Sequence, residues 1–439
     1  MSILIKDGTI VTMNAARDIL KADLLIENGV ITAIGQLDNP PAVQIINAGN
    51  KLVIPGLIQT HVHLCQTLFR GMADDLELLD WLKLRIWPLE AAHDHESLYH
   101  SAILGCAELL RGGTTAIADM PTVNYTNSVF EAVRESGIRY LGGKCMMDNG
   151  RDVPPALLDT TENALQESMD LYEKWHETCN GRLNYAFCPR FALSCSQELL
   201  LTISRISAEK NITIHSHASE NRAETDLVES QTGMRNIAWF NSLGLCSPRL
   251  ILAHCIHIDQ DEMDILAGSG TNVTHCPSAN LKLASGIAKI PELLELGCNV
   301  ALGADGPPCN NNLDAFMEMR LAALIQKPIY GPTSMPAKTV FAMATLGGAR
   351  ALGLENEIGS LEVGKKADVA IVDMDSWHTR PLSEAEVYSQ LVYQAKASDV
   401  YATIVDGKLL MLEGNLLQLK PDVSAIENSL SRLKNRVHL

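Results

Sequence analysis

Leu52-Val53-Ile54-Pro55-Gly56-Leu57-Ile58-Gln59-Thr60-His61-Val62-His63 is the stretch on which the reading of this chain turns. It is apolar and rich in β-branched residues, and Gly49-Asn50 precedes it as a turn signal, so the run Leu52 to Thr60 reads as one short buried strand. Residues two apart on a strand project to the same side. His61 and His63 therefore aim two imidazoles at one point, from the strand's C-terminal end. Two such nitrogens supply half of a first-row metal site.

Working outward, residues 1–52 read as short strands and tight turns. Asp7-Gly8 and Asn28-Gly29 stand between apolar runs as hairpin signals. From Pro55-Gly56 to about residue 352 the pattern changes. Short apolar runs at Val53–Ile58, Thr114–Ala118, Tyr140–Met146, Leu183–Cys188, Ile212–Ser216, Leu250–Ala253, Asn272–Thr274 and Val300–Gly303 alternate with helix-period segments. One such segment carries Ala102, Cys106, Leu109 and Leu110 on a face; another carries Leu313, Met317, Leu321 and Leu324. Eight repeats predict an α/β fold, a (β/α)8 barrel of the TIM type, with its chemistry at the strands' C-terminal ends. Strands at Gly364–Asp373 and Val400–Lys408 are predicted to join those of the N-terminus in a small β-sandwich. The expected division is 1–54, 55–358 and 359–439, the last part closing with a helix that Asp422 caps and that presents Ile426, Leu430, Leu433 and Val437.

Composition narrows the function. The 439-residue chain has a formal charge of −17 and no offsetting basic run, so nucleic acid and anionic membrane surfaces are not expected partners. The eleven cysteines form no C-x-x-C pair, which predicts reduced thiols and a cytoplasmic location. The start reads as no signal peptide, and no apolar run reaches the length of a membrane span.

At the predicted strand ends stand His61 and His63, then His215-Ser216-His217-Ala218-Ser219-Glu220, Ala253-His254 and Gly303-Ala304-Asp305-Gly306. A barrel brings them to one mouth, where three histidines and an aspartate can surround a metal and leave a position open for water. Taken singly, each histidine could be a hydrogen-bonded core residue and Asp305-Gly306 an ordinary turn; their joint placement argues otherwise.

The chain resembles the amidohydrolase superfamily, in its cytosine, guanine and S-adenosylhomocysteine deaminase branch. The resemblance runs through Pro55-Gly56-Leu57-Ile58, His61-Val62-His63, Gly112-Gly113-Thr114-Thr115, His217-Ala218-Ser219-Glu220, Ala253-His254-Cys255, His275-Cys276-Pro277, Asn280-Leu281-Lys282-Leu283 and Gly359 to Asp368. It implies one divalent metal, zinc or iron, on His61, His63, His217 and Asp305. It implies Glu220 as proton carrier and His254 as the group that orients the attacking water. The residue types suit hydrolytic deamination: Asp305 takes the water's proton, and Glu220 hands protons to a ring nitrogen and the leaving amine.

The substrate signals diverge. Arg70 to Leu76, Trp81-Leu82 and Trp87-Pro88-Leu89-Glu90 resemble the branch acting on S-adenosylhomocysteine, methylthioadenosine and 5′-deoxyadenosine, which implies Glu90 at the ribose hydroxyls and Trp87 among the substrate contacts. Gln66 and Pro189-Arg190-Phe191-Ala192-Leu193-Ser194 resemble guanine deaminase, where the matching glutamine and arginine grip the ring. The triazine chlorohydrolases and deaminases share the metal pattern. Chain-wide likeness favours an adenosine derivative over a guanine-like or aminopterin ring or a triazine. A two-metal cyclic-amide hydrolase needs a bridging lysine on strand four; Lys144 falls on strand three instead. A small-molecule heterocycle is the expected partner, with a homo-oligomer as the expected assembly.

Overall fold

The computed structural model describes residues 2–38, 40, 44–150, 152–381 and 386–437. The chain opens with β1 (Ser2–Val11), β2 (Ile19–Glu27), β3 (Val30–Gly35), β4 (Gln44–Asn47) and β5 (Lys51–Pro55). A second set follows: β6 (Leu57–Val62), β7 (Thr114–Asp119), β8 (Arg139–Gly142), β9 (Cys145–Met146), β10 (Leu183–Pro189), β11 (Thr213–Ala218), β12 (Leu250–His254), β13 (Asn272–His275) and β14 (Val300–Leu302). The C-terminal part supplies β15 (Val369–Asp373), β16 (Val400–Val405), β17 (Lys408–Leu412) and β18 (Asn415–Leu416).

The second set is the barrel. Its strands pair in parallel in the order β14-β13-β12-β11-β10-β8-β7-β6, with β9 extending the edge of β10. The ring closes where Val62 bridges Asp305 in parallel and the Asp305 N–H donates to the His61 carbonyl at 3.0 Å. Ile58, Ala116, Leu141, Ala186, Ile251 and Ala301, one from each of six strands, belong to the apolar cluster that fills it. Helices cover the outside. His95–Arg111 starts with a capping box at Asp94 and buries Ala102, Cys106, Leu109 and Leu110, the face read from the sequence.

Strands from both chain ends form one hydrogen-bonded path, β18-β17-β16-β15-β5-β1-β2-β3, with β4 on β1. An interior of Ile5, Ile10, Leu24, Ile26, Val53, Val369 and Ile404 fills it. The hairpins at Asn28-Gly29 and Asp406-Gly407 touch, since a Cβ on Gly407 would stand 2.6 Å from the Gly29 Cα. The terminal helix Val423–Val437 lays Ile426 and Leu433 on Leu68, Phe69 and Leu89, and Asp422 caps it through the Ala425 N–H.

Three local expectations need correction. The run Leu52 to Thr60 is two strands, not one. Pro55 ends β5, and the next two amides go to different partners: Gly56 N–H to the Asp368 carbonyl, Leu57 N–H to that of Gly113. A Cβ on Gly56 would lie 2.1 Å from Thr115 Oγ1, so the switch between sheets needs glycine there. Asp7-Gly8 is not a hairpin but a bulge within β1: Asp7 is left-handed at φ 58°, with its N–H on Asp23 Oδ1 at 2.8 Å. The helix Ala315–Ile325 does not bury Met317 and Leu324, which are exposed; it buries Phe316, Glu318, Met319, Ala322 and Ala323. Leu313 is buried but precedes the capping residue Asp314, so a face counted from it has the wrong register.

Candidate active site

The C-terminal ends of β6, β11, β12 and β14 carry the predicted histidines and aspartate to one point. His61 Nε2 and His63 Nε2 each lie 3.3 Å from Asp305 Oδ1, and His63 Nε2 lies 3.2 Å from His217 Nε2. Two triads, His61-His63-His217 and His61-His254-Asp305, each hold their ligand atoms within 4.8 Å of one another. The far nitrogens are all engaged. His63 Nδ1 meets the Met120 carbonyl at 2.7 Å, His217 Nδ1 that of Arg190 at 2.7 Å, His61 Nδ1 the ring of His215 at 2.7 Å, and His254 Nδ1 the Asn280 Oδ1 at 2.8 Å. A ring whose Nδ1–H donates to a carbonyl presents an unprotonated Nε2 to the centre, the arrangement metal-ligating histidines adopt. His61 Nε2 and His254 Nε2 are buried with no hydrogen-bond partner. An orphan atom is costly unless something else satisfies it, and a cation among His61, His63, His217 and Asp305 does so for His61 Nε2. These residues fit the metal that the resemblance implies.

The electrostatics agree at His61 and His217. Burial lowers His61 to about 4 and holds His217 well below the ordinary histidine range, so both stay neutral and free to ligate. Burial alone would raise Asp305, but the imidazoles of His61, His63 and His254 around it keep it far down. Glu220 goes the other way. Burial, reinforced by the nearby Asp305 charge, pushes its carboxyl well above the usual range, and its Oε2 stands 3.5 Å from His254 Nε2. It is a carboxyl poised to hold a proton beside a group poised without one. The turns that carry these groups are strained. Ser219, His254, Cys255 and Asp305 all have left-handed backbones, with φ of 54°, 74°, 47° and 63°.

These side chains floor a cavity walled by Gln66, Leu78, Trp81, Leu82, Arg190, Phe191 and Leu283. Glu90, expected at the ribose hydroxyls, does not line this cavity: it is 1% exposed, beneath Arg190. Arg190 Nη1 reaches Glu90 Oε2 at 2.5 Å, Nη2 reaches Oε1 at 3.2 Å, and Gln66 Nε2 donates to Oε1 at 2.8 Å. Burial works against the carboxylate's charge, yet Arg190 holds Glu90 below its ordinary value. Trp87 lines a neighbouring cavity; Trp81 takes the wall of this one. Lys144 is tied to the Val123 carbonyl, Asp159 and Glu167, away from the histidines.

Sequence reasoning assigned no role to His215, Asn280 or Trp81. His215 was findable, since it shares the face of β11 with His217 by the same two-residue period that pairs His61 with His63. Asn280 and Trp81 entered only as parts of the motifs that carry the resemblance, with no role attached.

Residues 52–410 match the amidohydrolase family. The chain belongs to it. Over 422 residues it is 40% identical to a 5-methylthioadenosine/S-adenosylhomocysteine deaminase of Moorella thermoacetica, covering 95% of this chain and 96% of that one. It is 38% identical over 419 residues to a 5'-deoxyadenosine deaminase of Methanosarcina mazei, covering 95% and 94%. Among solved amidohydrolase-like structures, an adenosine deaminase from Xanthomonas campestris with bound zinc superposes with a TM-score of 0.91 at 31% identity, over 99% of this chain and 98% of that one. E. coli guanine deaminase does so with a TM-score of 0.84 at 29% identity, over 94% and 98%.

Proposed function

We propose that this amidohydrolase is a hydrolytic deaminase of an adenosine derivative, S-adenosylhomocysteine, methylthioadenosine or 5′-deoxyadenosine, releasing ammonia and the inosine analogue. The observation that carries the chemistry is Glu220: a buried carboxyl with a raised pKa, facing His254 and Asp305 across one cavity. The adenosine class is supported by relatives of that name matching along nearly the whole chain.

His61, His63, His217 and Asp305 hold the metal in this reading, and zinc is the ion we propose. When bound, it supplies an acidified water at neutral pH. Asp305 accepts that water's proton. His254, fixed by Asn280, orients the water and bonds the oxygen that gains charge at the ring carbon. Glu220 gives its proton to the ring nitrogen, takes the proton of the new hydroxyl and hands it to the amine as the C–N bond breaks, and regains its own from Asp305. We also propose that Gln66, Glu90, Arg190 and Trp87 shape substrate recognition, that the chain divides at residues 54 and 358, and that it acts as a cytoplasmic homo-oligomer without nucleic acid or membrane. All eleven cysteines are unpaired, and among the described residues no helix is long and apolar enough to cross a membrane.

A second reading has its own observation. Arg190 and Gln66 occupy both oxygens of Glu90, while Gln66 Oε1 is buried without a partner in a side chain that lines the cavity. An unfilled acceptor there fits a ring N–H, as in a guanine-like base. An ultraviolet deamination screen over adenosine derivatives, guanines, pterins and aminotriazines decides. Turnover confined to guanines, pterins or triazines rejects the adenosine reading, and no ammonia from any of them rejects the deaminase.

A further inference from the structure

Glu318 lies behind the site, on the helix Ala315–Ile325, and is 1% exposed. Three donors converge on its carboxylate. Ser278 N–H reaches Oε2 at 3.1 Å; Ser278 Oγ and Asn310 Nδ2 reach Oε1 at 2.5 and 2.9 Å. Among the described residues no lysine, arginine or histidine forms an ion pair with it. Burial pushes the carboxyl up to about 7. Burying such a group costs free energy that an apolar side chain packed at this position would not.

Its partners explain the position. Ser278 sits in the first turn of the helix Pro277–Lys282, and Asn280 of that helix holds the His254 ring. Asn310 also donates to the Ala304 carbonyl at 2.8 Å, one residue before the strained turn at Asp305. One carboxylate thus ties the loop after β13 to the loop after β14.

We propose that Glu318 is a positioning residue that sets His254, through Ser278 and Asn280, and Asp305, through Asn310, in a single geometry. The proposal rests on the reading of those two groups as the working residues of the site. It requires that cutting either arm loosen one group and spare the other.

The test is Glu318→Gln in the metal-loaded protein. The amide nitrogen must face at least one of three donors, so one arm or both break. Turnover should fall by about 10–100-fold, the usual cost of disturbing an outer-shell partner. KM should change by no more than about twofold, because Gln66, Trp81 and Arg190 stand on other elements. Without any substrate, a chelator should strip metal from the variant about tenfold faster. Ser278→Ala should lower turnover and leave metal loss unchanged, because it weakens only the His254 arm, removing the hydroxyl and keeping the backbone N–H. Asn310→Ala should speed metal loss. These two variants carry the test if Glu318→Gln does not fold. A Glu318→Gln protein with normal turnover and normal metal retention overturns the proposal, as does one that only melts earlier. Should Asp305→Asn keep its turnover, the reading of the site itself fails. That result differs from a normal Glu318→Gln beside an inactive Asp305→Asn.

Discussion

Glu90→Gln is the substitution whose cost follows most directly from the structure. The amide keeps the shape and removes the charge. Arg190, 4% exposed and paired through two nitrogens with that carboxylate, is left as a buried cation without its anion. Breaking a buried pair from one side costs about 3–5 kcal/mol, whereas replacing both partners by apolar groups of similar volume is close to neutral. An unfolding entropy of about 2.1 cal/mol/K per residue over this chain is about 0.9 kcal/mol/K, so the loss corresponds to about 3–5 °C in Tm. Scanning calorimetry on wild type, Glu90→Gln, Arg190→Met and the double variant Glu90→Leu/Arg190→Met checks this. Each single change should lower Tm by that amount, and the double change should recover most of it. Singles that melt within a degree of wild type, or a double that falls by their sum, refute the pair as described.

Glu220→Gln should keep its metal and lose about 10²–10⁴-fold in turnover, because the amide resembles the protonated carboxyl in shape but gives up no proton; near-full activity would remove Glu220 from the chemistry. Elemental analysis should find one metal per chain, and Asp305→Ala should lower it; two tightly held ions contradict the site. Arg190→Ala should hurt adenosine derivatives with charged 5′ tails most and spare 5′-deoxyadenosine, whereas uniform loss together with guanine turnover in the parent protein moves the assignment to the guanine-like ring. Burial lowers His93 to about 4, so the unfolded chain binds one more proton than the folded one between that value and 6.5. Its contribution, about 3 kcal/mol, is present above pH 6.5 and drains away as pH falls to 4; His93→Gln should flatten that part of the denaturant midpoint against pH, and an unchanged slope excludes it.

The barrel was legible because its parallel strands are buried on both faces, so each stands out as an unbroken apolar run between helix-period segments. The same property hid the switch at Gly56: Leu52 to Ile58 is apolar on both sides of the break, and only Asp368 and Gly113, far along the chain, reveal that its amides part company. The strand-end histidines were legible through the two-residue period. Glu90 was not. The arginine that buries this carboxylate is a hundred residues away, so nothing beside it in the sequence announces the pair. Glu318 went unread for a related reason: its donors, Ser278 and Asn310, belong to loops whose approach depends on the closed barrel.

The junction at Pro55-Gly56 bears on the order in which the molecule can assemble. β5 lies between β1 and β15, so the strand leading into His61 is held on one side by the start of the chain and on the other by a segment more than three hundred residues later. Closing so long a loop is slow and entropically costly before the intervening barrel has formed. A nascent chain can therefore present both histidines of β6 well before β15 clamps the far side of the strand that leads into them. Full rigidity there arrives only when β15 has been made. Chains cut short before Val369 should build much of the barrel and still hold the first two candidate ligands loosely.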